Sequence, residues 1–77
     1  MEEQLLDARG LICPLPVLRA RKVLMGMPAG AVLDVQTTDP AAPADFEAFC
    51  EATGHRLLAK ADLPDGAVSL RIERAAP

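Results

Sequence analysis

The chain is 77 residues long, 51% hydrophobic, with two cysteines and a net charge of −3. That length holds one domain over 1–77, and two cysteines are too few for a disulfide scaffold. The acidic balance argues against general binding to nucleic acid. Trp and Tyr are absent and Phe occurs only at Phe46 and Phe49, so aliphatic side chains must build the core.

The opening "MEEQLLDARG" lacks the basic stretch and apolar run of a signal peptide. No segment approaches the roughly 18 apolar residues of a membrane span. A cytoplasmic location, where thiols stay reduced, is the expectation. Residues 3–8 read as a short strand, and Gly10 lets the chain turn after it.

A helix follows Cys13. On a helical wheel Val17, Ala20, Val23, Leu24 and Met27 share one face, with Arg19, Lys22 and Gly26 opposite. Leu18 and Met25 lie off that core face. Gly26, Pro28 and Gly30 end the helix. Residues 31–38 alternate through Leu33, Val35 and Thr37, as a strand does. Residues 39–54 read as a second helix with Asp39 at the N-cap, Pro40 at the first helical position and Gly54 just past the end. Phe46, Phe49, Cys50 and Thr53 fall at i, i+3, i+4 and i+7, its core stripe. Residues 55–61 and 67–74 are two further strands, joined by "DLPDG" as a hairpin. The order β-α-β-α-β-β belongs to the α+β class: a two-layer sandwich with two helices on one face of a four-stranded mixed sheet. The other sheet face is left to water or a partner.

The stretch "LICPLPVLRARK" raises a chemical question. Segment 9–22 holds Arg9, Arg19, Arg21 and Lys22 and no acid, while segment 39–51 holds Asp39, Asp45, Glu47 and Glu51 and no base. With Cys13 at the N-cap, Pro14 falls at the first helical position and Pro16 at the third, both tolerant of proline. The prolines would stiffen the turn that presents the sulfur, leaving the Leu15 and Val17 N–H groups near it. A thiolate at a helix N-terminus, in a positive field, has a lowered pKa and is reactive. The competing reading makes Cys13 an apolar plug between strand and helix. There is no C-x-x-C dithiol, no zinc spacing, no phosphate loop and no evident cofactor; His55 is remote in sequence and lacks an orienting partner. A thiol with no evident base suits group transfer. Cys50 lies on the core face of the second helix, where cysteine behaves as a small hydrophobe.

Taken together, "LDARGLICPLPVLRARK", then "DP", then "FCEATGH" resembles the TusA-like (SirA-like) sulfur carrier proteins, over nearly the whole chain from Leu6 to about Ile72. The resemblance implies the same sandwich fold. It implies that Cys13 accepts a sulfane sulfur as a persulfide and hands it on, a sulfurtransferase-type carrier rather than a stand-alone enzyme. Pro14 and Pro16 match the prolines of the Cys-Pro-x-Pro motif. The implied partners are a sulfur donor, either a cysteine desulfurase or a rhodanese-like protein, and an acceptor in tRNA thiolation, cofactor synthesis or sulfur oxidation. No cofactor, metal, direct nucleic-acid contact or membrane contact is implied, and a monomer is expected. Where many members carry Glu between the prolines and a basic residue before the cysteine, this chain has Leu15 and Ile12, an apolar rim. Arg9, Leu15, Leu18, Arg19, Arg21 and Lys22 are candidates for partner docking, because charge complementarity speeds encounter. The alternative is a regulatory or interaction module of the same fold that carries no sulfur.

Overall fold

The computed structural model describes residues 3–76. Four strands and two helices follow in the order expected: β1 (Glu3–Ala8), α1 (Leu15–Met25), β2 (Val32–Thr37), α2 (Ala42–Thr53), β3 (Arg56–Asp62) and β4 (Val68–Glu73). They form one sheet of order β1-β2-β4-β3. β1 and β2 run parallel, while β4 is antiparallel to both β2 and β3, so the sheet is mixed. No helix among the described residues is long and apolar enough to cross a membrane.

The central strands carry the core. Leu33 and Val35 of β2 and Leu70 and Ile72 of β4 are fully buried, as the alternation requires. Pro16, Ala20 and Leu24 of α1 and Ala42, Phe46 and Cys50 of α2 close over them. Met27 is buried just beyond α1, and Val17 and Val23 are half-buried against the same cluster. Phe46 is the largest fully buried side chain, and its burial contributes on the order of 2–3 kcal/mol. Thr53 departs from the expected stripe. It is exposed, and its hydroxyl donates to the Phe49 carbonyl one turn back.

The opposite sheet face is polar and cross-linked. Arg71 pairs with Glu3 at 2.9 Å, the Ser69 hydroxyl donates to Asp34 at 2.6 Å, and Arg56 meets Glu73 at 3.5 Å. A register shift between Leu57 and Ala59 irregularly kinks edge strand β3, a device that discourages further strand pairing.

Both helices begin later than the sequence suggests. The N-cap of α1 is Pro14, which places Leu15 first and Pro16 second in the helix, and leaves Cys13 one residue outside it. The N-cap of α2 is Ala41, with Pro43 rather than Pro40 in the first turn. The reason lies at Asp39. Its carboxylate accepts the Ala41 N–H and its carbonyl accepts the Ala42 N–H, so residues 39–42 form a turn before the helix can start. The C-terminal end of α2 is as expected: Gly54 adopts φ +84°, and its N–H donates to the Cys50 carbonyl. The last turn of α1 is instead held from outside, where Arg74 Nε donates to the Leu24 carbonyl at 2.7 Å.

Candidate functional site

Because β1 and β2 are parallel neighbours, their carboxyl ends lie side by side, and each feeds a helix. The two connecting loops are tied together there. Gly10, at φ +80°, donates its N–H to the Thr38 hydroxyl at 3.0 Å, and the Cys13 N–H donates to the Asp39 carboxylate at 2.7 Å. The backbone of Cys13 is thus held by a contact 26 residues away in sequence. The Cys13–Pro14 peptide bond is cis.

Cys13 is exposed and Cys50 buried, and both are free thiols. Cys13 sits at the rim of an open cleft of about 400 Å³ lined by Pro14, Val17, Asp45, Ala48 and Phe49. The wall is mainly aliphatic and aromatic, contributed by the first turns of α1 and the middle of α2. Cys50, one residue beyond Phe49, turns away into the core, and burial pushes its thiol pKa up.

The electrostatics reverse the expectation of a positive field. Hydrogen bonding to the Asp45 carboxylate is the first influence on the Cys13 thiol, followed by partial desolvation and the charges of Asp45 and Asp39. All raise its pKa above the ordinary thiol range. Of the helix-end donors, the Leu15 N–H is engaged by the Ile12 carbonyl at 2.9 Å, and the anion meeting the Cys13 N–H is Asp39. A carboxylate thus lies just ahead of α1, against the backbone N–H of the residue that bears the thiol. The ligand atoms of Cys13, Asp39 and Asp45 lie within 4.8 Å of one another, close enough to share a cation. Both Asp39 oxygens, however, already accept backbone N–H groups, from Cys13 and Ala41.

The cations of segment 9–22 separate into two groups. Arg9 is turned from the thiol to Asp65 at 2.9 Å and Asp7 at 3.2 Å, pinning the β1–α1 turn to the β3–β4 loop. Arg19, Arg21 and Lys22 are exposed on α1 with no ionic partner among the described residues. Beside them Ile12 is 70% exposed, Leu15 43%, Leu18 50% and Met25 67%. Large apolar side chains exposed together mark an interaction surface more often than chance. His55 serves the fold. Its Nδ1 accepts the Ala75 N–H at 2.9 Å and its ring lies 5.6 Å from Phe49.

Asp45 is the site residue that sequence reading missed. In the sequence it is only one of the four acids of segment 39–51. The available signal was topological: two helices that follow adjacent parallel strands begin side by side.

The structure is thus a small α+β domain, a two-layer β-α-β-α-β-β sandwich whose one exposed thiol lies just ahead of the first helix. A solved structure of this architecture, a SirA-like protein from Desulfitobacterium hafniense, superposes with a TM-score of 0.84 at 26% identity, covering 95% of this chain and 99% of its own. The chain belongs to the TusA family, whose model, described as Sulfurtransferase TusA, matches residues 4–74. A protein of Neisseria meningitidis serogroup A, named as a candidate sulfur carrier, is 52% identical over 95% of this chain and 97% of its own length. The sulfur carrier protein TusA of Allochromatium vinosum is 54% identical over 73% of this chain and 74% of its own.

Proposed function

We propose that the protein is a small sulfur carrier, which accepts a sulfane sulfur on Cys13 and passes it to a partner. The observation that carries this reading is the placement of its one exposed thiol. Cys13 stands at the rim of an apolar cleft, fixed by Asp39, in a chain of the TusA family. Pro14 and Pro16, the prolines of the Cys-Pro-x-Pro motif, bracket the start of α1 and support that placement.

Loading is an exchange between sulfurs. The Cys13 thiolate attacks the terminal sulfur of a donor's persulfide, a new S–S bond forms at Cys13, and the donor's S–S bond breaks. The donor cysteine leaves as a thiolate and takes up a proton, balancing the one Cys13 gave up. Delivery repeats the exchange with an acceptor's thiolate as the attacker. The sulfane sulfur keeps its oxidation state throughout, so no outside oxidant or reductant is required. The donor is a cysteine desulfurase or a rhodanese-like protein, and the acceptor works in tRNA thiolation, cofactor synthesis or sulfur oxidation. The carrier acts as a cytoplasmic monomer between them.

The raised thiol pKa means that slow alkylation of the resting protein does not separate a carrier from a regulatory module. Loading does. Incubation with a cysteine desulfurase and L-cysteine is expected to add the mass of one sulfur atom to the wild type and to Cys50→Ala, and nothing to Cys13→Ala. Loading of Cys13→Ala, or no loading of the wild type by a desulfurase or a rhodanese, would favour the module instead.

A further inference from the structure

The carboxylates beside the thiol have a consequence for which molecules reach it. Asp45 lines the cleft with Cys13, and the Cys13 sulfur and the Asp39 and Asp45 carboxylate oxygens lie within 4.8 Å of one another. The remaining cleft wall, Pro14, Val17, Ala48 and Phe49, is uncharged. Charged groups reach the sulfur from few elements. α2 brings Asp45 and the β2–α2 loop brings Asp39. The β1–α1 turn brings Arg9, which is bound to Asp7 and Asp65. The cations of α1 begin at Arg19, beyond the helix's first turn, and do not figure among the charges acting on Cys13.

We propose that Asp45 is a specificity-determining residue: with Asp39 it makes the approach to Cys13 prefer a sulfur compound that carries positive charge next to its reacting sulfur. The inference rests on the carrier reading, and adds to it that the partner segment entering this cleft places a Lys or Arg side chain beside its cysteine. Such a cation pairs with Asp45, weakens that carboxylate's hold on the thiol proton, and thereby assists formation of the attacking thiolate at the moment of docking. A donor presenting an acid at that point meets two like charges. Of the two carboxylates Asp45 is the free agent, because Asp39 is committed to the Cys13 and Ala41 backbone.

The test uses small disulfides and no sulfane sulfur, so it stands or falls separately from persulfide loading. Cys13, in a Cys50→Ala background, is reacted with cystamine (cationic), hydroxyethyl disulfide (neutral) and dithiodipropionate (anionic). In each reaction the Cys13 thiolate attacks one sulfur, a mixed disulfide forms, the probe's S–S bond breaks, and the released half takes up a proton from solvent. Cys13 is oxidised as the probe is reduced. Each rate is divided by that of N-acetylcysteinamide, an uncharged thiol, at the same pH, which removes the probes' different leaving abilities. The expected cystamine-to-dithiodipropionate preference is roughly fivefold at low salt, the scale of one exposed charge contact. Asp45→Asn is expected to collapse it, Asp45→Glu to retain most of it, and Glu51→Gln, elsewhere on α2, to leave it unchanged. A corrected ratio near one in the parent protein, or a preference that survives Asp45→Asn, overturns the proposal.

Discussion

At the scale of single residues, local surroundings set the protonation of the thiols and of the one histidine. Cys13 and His55 are both shifted toward their neutral forms, Cys13 by nearby carboxylates and His55 by burial and then by the charge of Arg74. For His55 the shift has a consequence for stability. Its Nδ1 must be unprotonated to accept the Ala75 N–H. A depressed folded pKa means that the unfolded chain binds the proton more readily. The contribution of His55 is therefore complete above the ordinary value of 6.5 and is lost as pH falls through the lower folded value. Between about pH 7.5 and pH 5.5, above the main range of carboxylate titration, the melting temperature of the wild type should fall further than that of His55→Asn. Parallel decreases in the two proteins would remove His55 as the cause. The sequence marked His55 as opening a strand but could not reveal this bond, which closes between residues 20 apart.

At the scale of elements, periodicity proved a better guide than punctuation. The alternation of β4 and the apolar face of α1 translated directly into buried Leu70, Ile72, Ala20 and Leu24. Those signals are local and repeat, so one misplaced residue does not erase them. The helix starts misled because each rested on one residue with two uses. Asp39 has the chemistry of an N-cap, but its two carboxylate oxygens serve the Ala41 and Cys13 N–H groups, and the second of these is supplied by a distant loop. For the same reason the place of Cys13 just ahead of α1 was legible while its electrostatic surroundings were not. Its neighbours in sequence are basic or apolar, and its neighbours in space include Asp45, 32 positions on. Gly54 was legible because its requirement is intrinsic to the backbone. At φ +84° any Cβ is disfavoured, although one built there would meet no atom within 4 Å. Gly54→Ala should thus destabilise by about 1–2 kcal/mol through conformation alone. Chemical denaturation should show a lower midpoint with an unchanged slope.

At the scale of the whole molecule, charge is sorted by layer and by helix. The open sheet face neutralises itself through pairs such as Glu3–Arg71 and Arg56–Glu73. The helical layer does not, since α1 presents Arg19, Arg21 and Lys22 and α2 presents Asp45, Glu47 and Glu51, with Cys13 at the cleft between them. Glu47 has a partner in Lys60, whereas the three α1 cations have none among the described residues. They make no visible contribution to the fold, and exposed charges of this kind are worth little to stability even when paired. We propose that they act in encounter with a partner. A partner that fits this surface offers acids to the α1 cations and apolar contacts to Ile12, Leu15, Leu18 and Met25. Reversing two charges, Arg19→Glu with Lys22→Glu, should leave the denaturation midpoint nearly unchanged. It should also slow sulfur loading from a protein donor at low salt, with the difference shrinking as salt is raised, because long-range steering is screened over about 10 Å at 0.1 M ionic strength. Loading from a small persulfide such as glutathione persulfide should be affected much less, since that donor covers too little surface to use α1. Equal rates for the double variant and the wild type with the protein donor at every salt concentration would show that these cations take no part in docking.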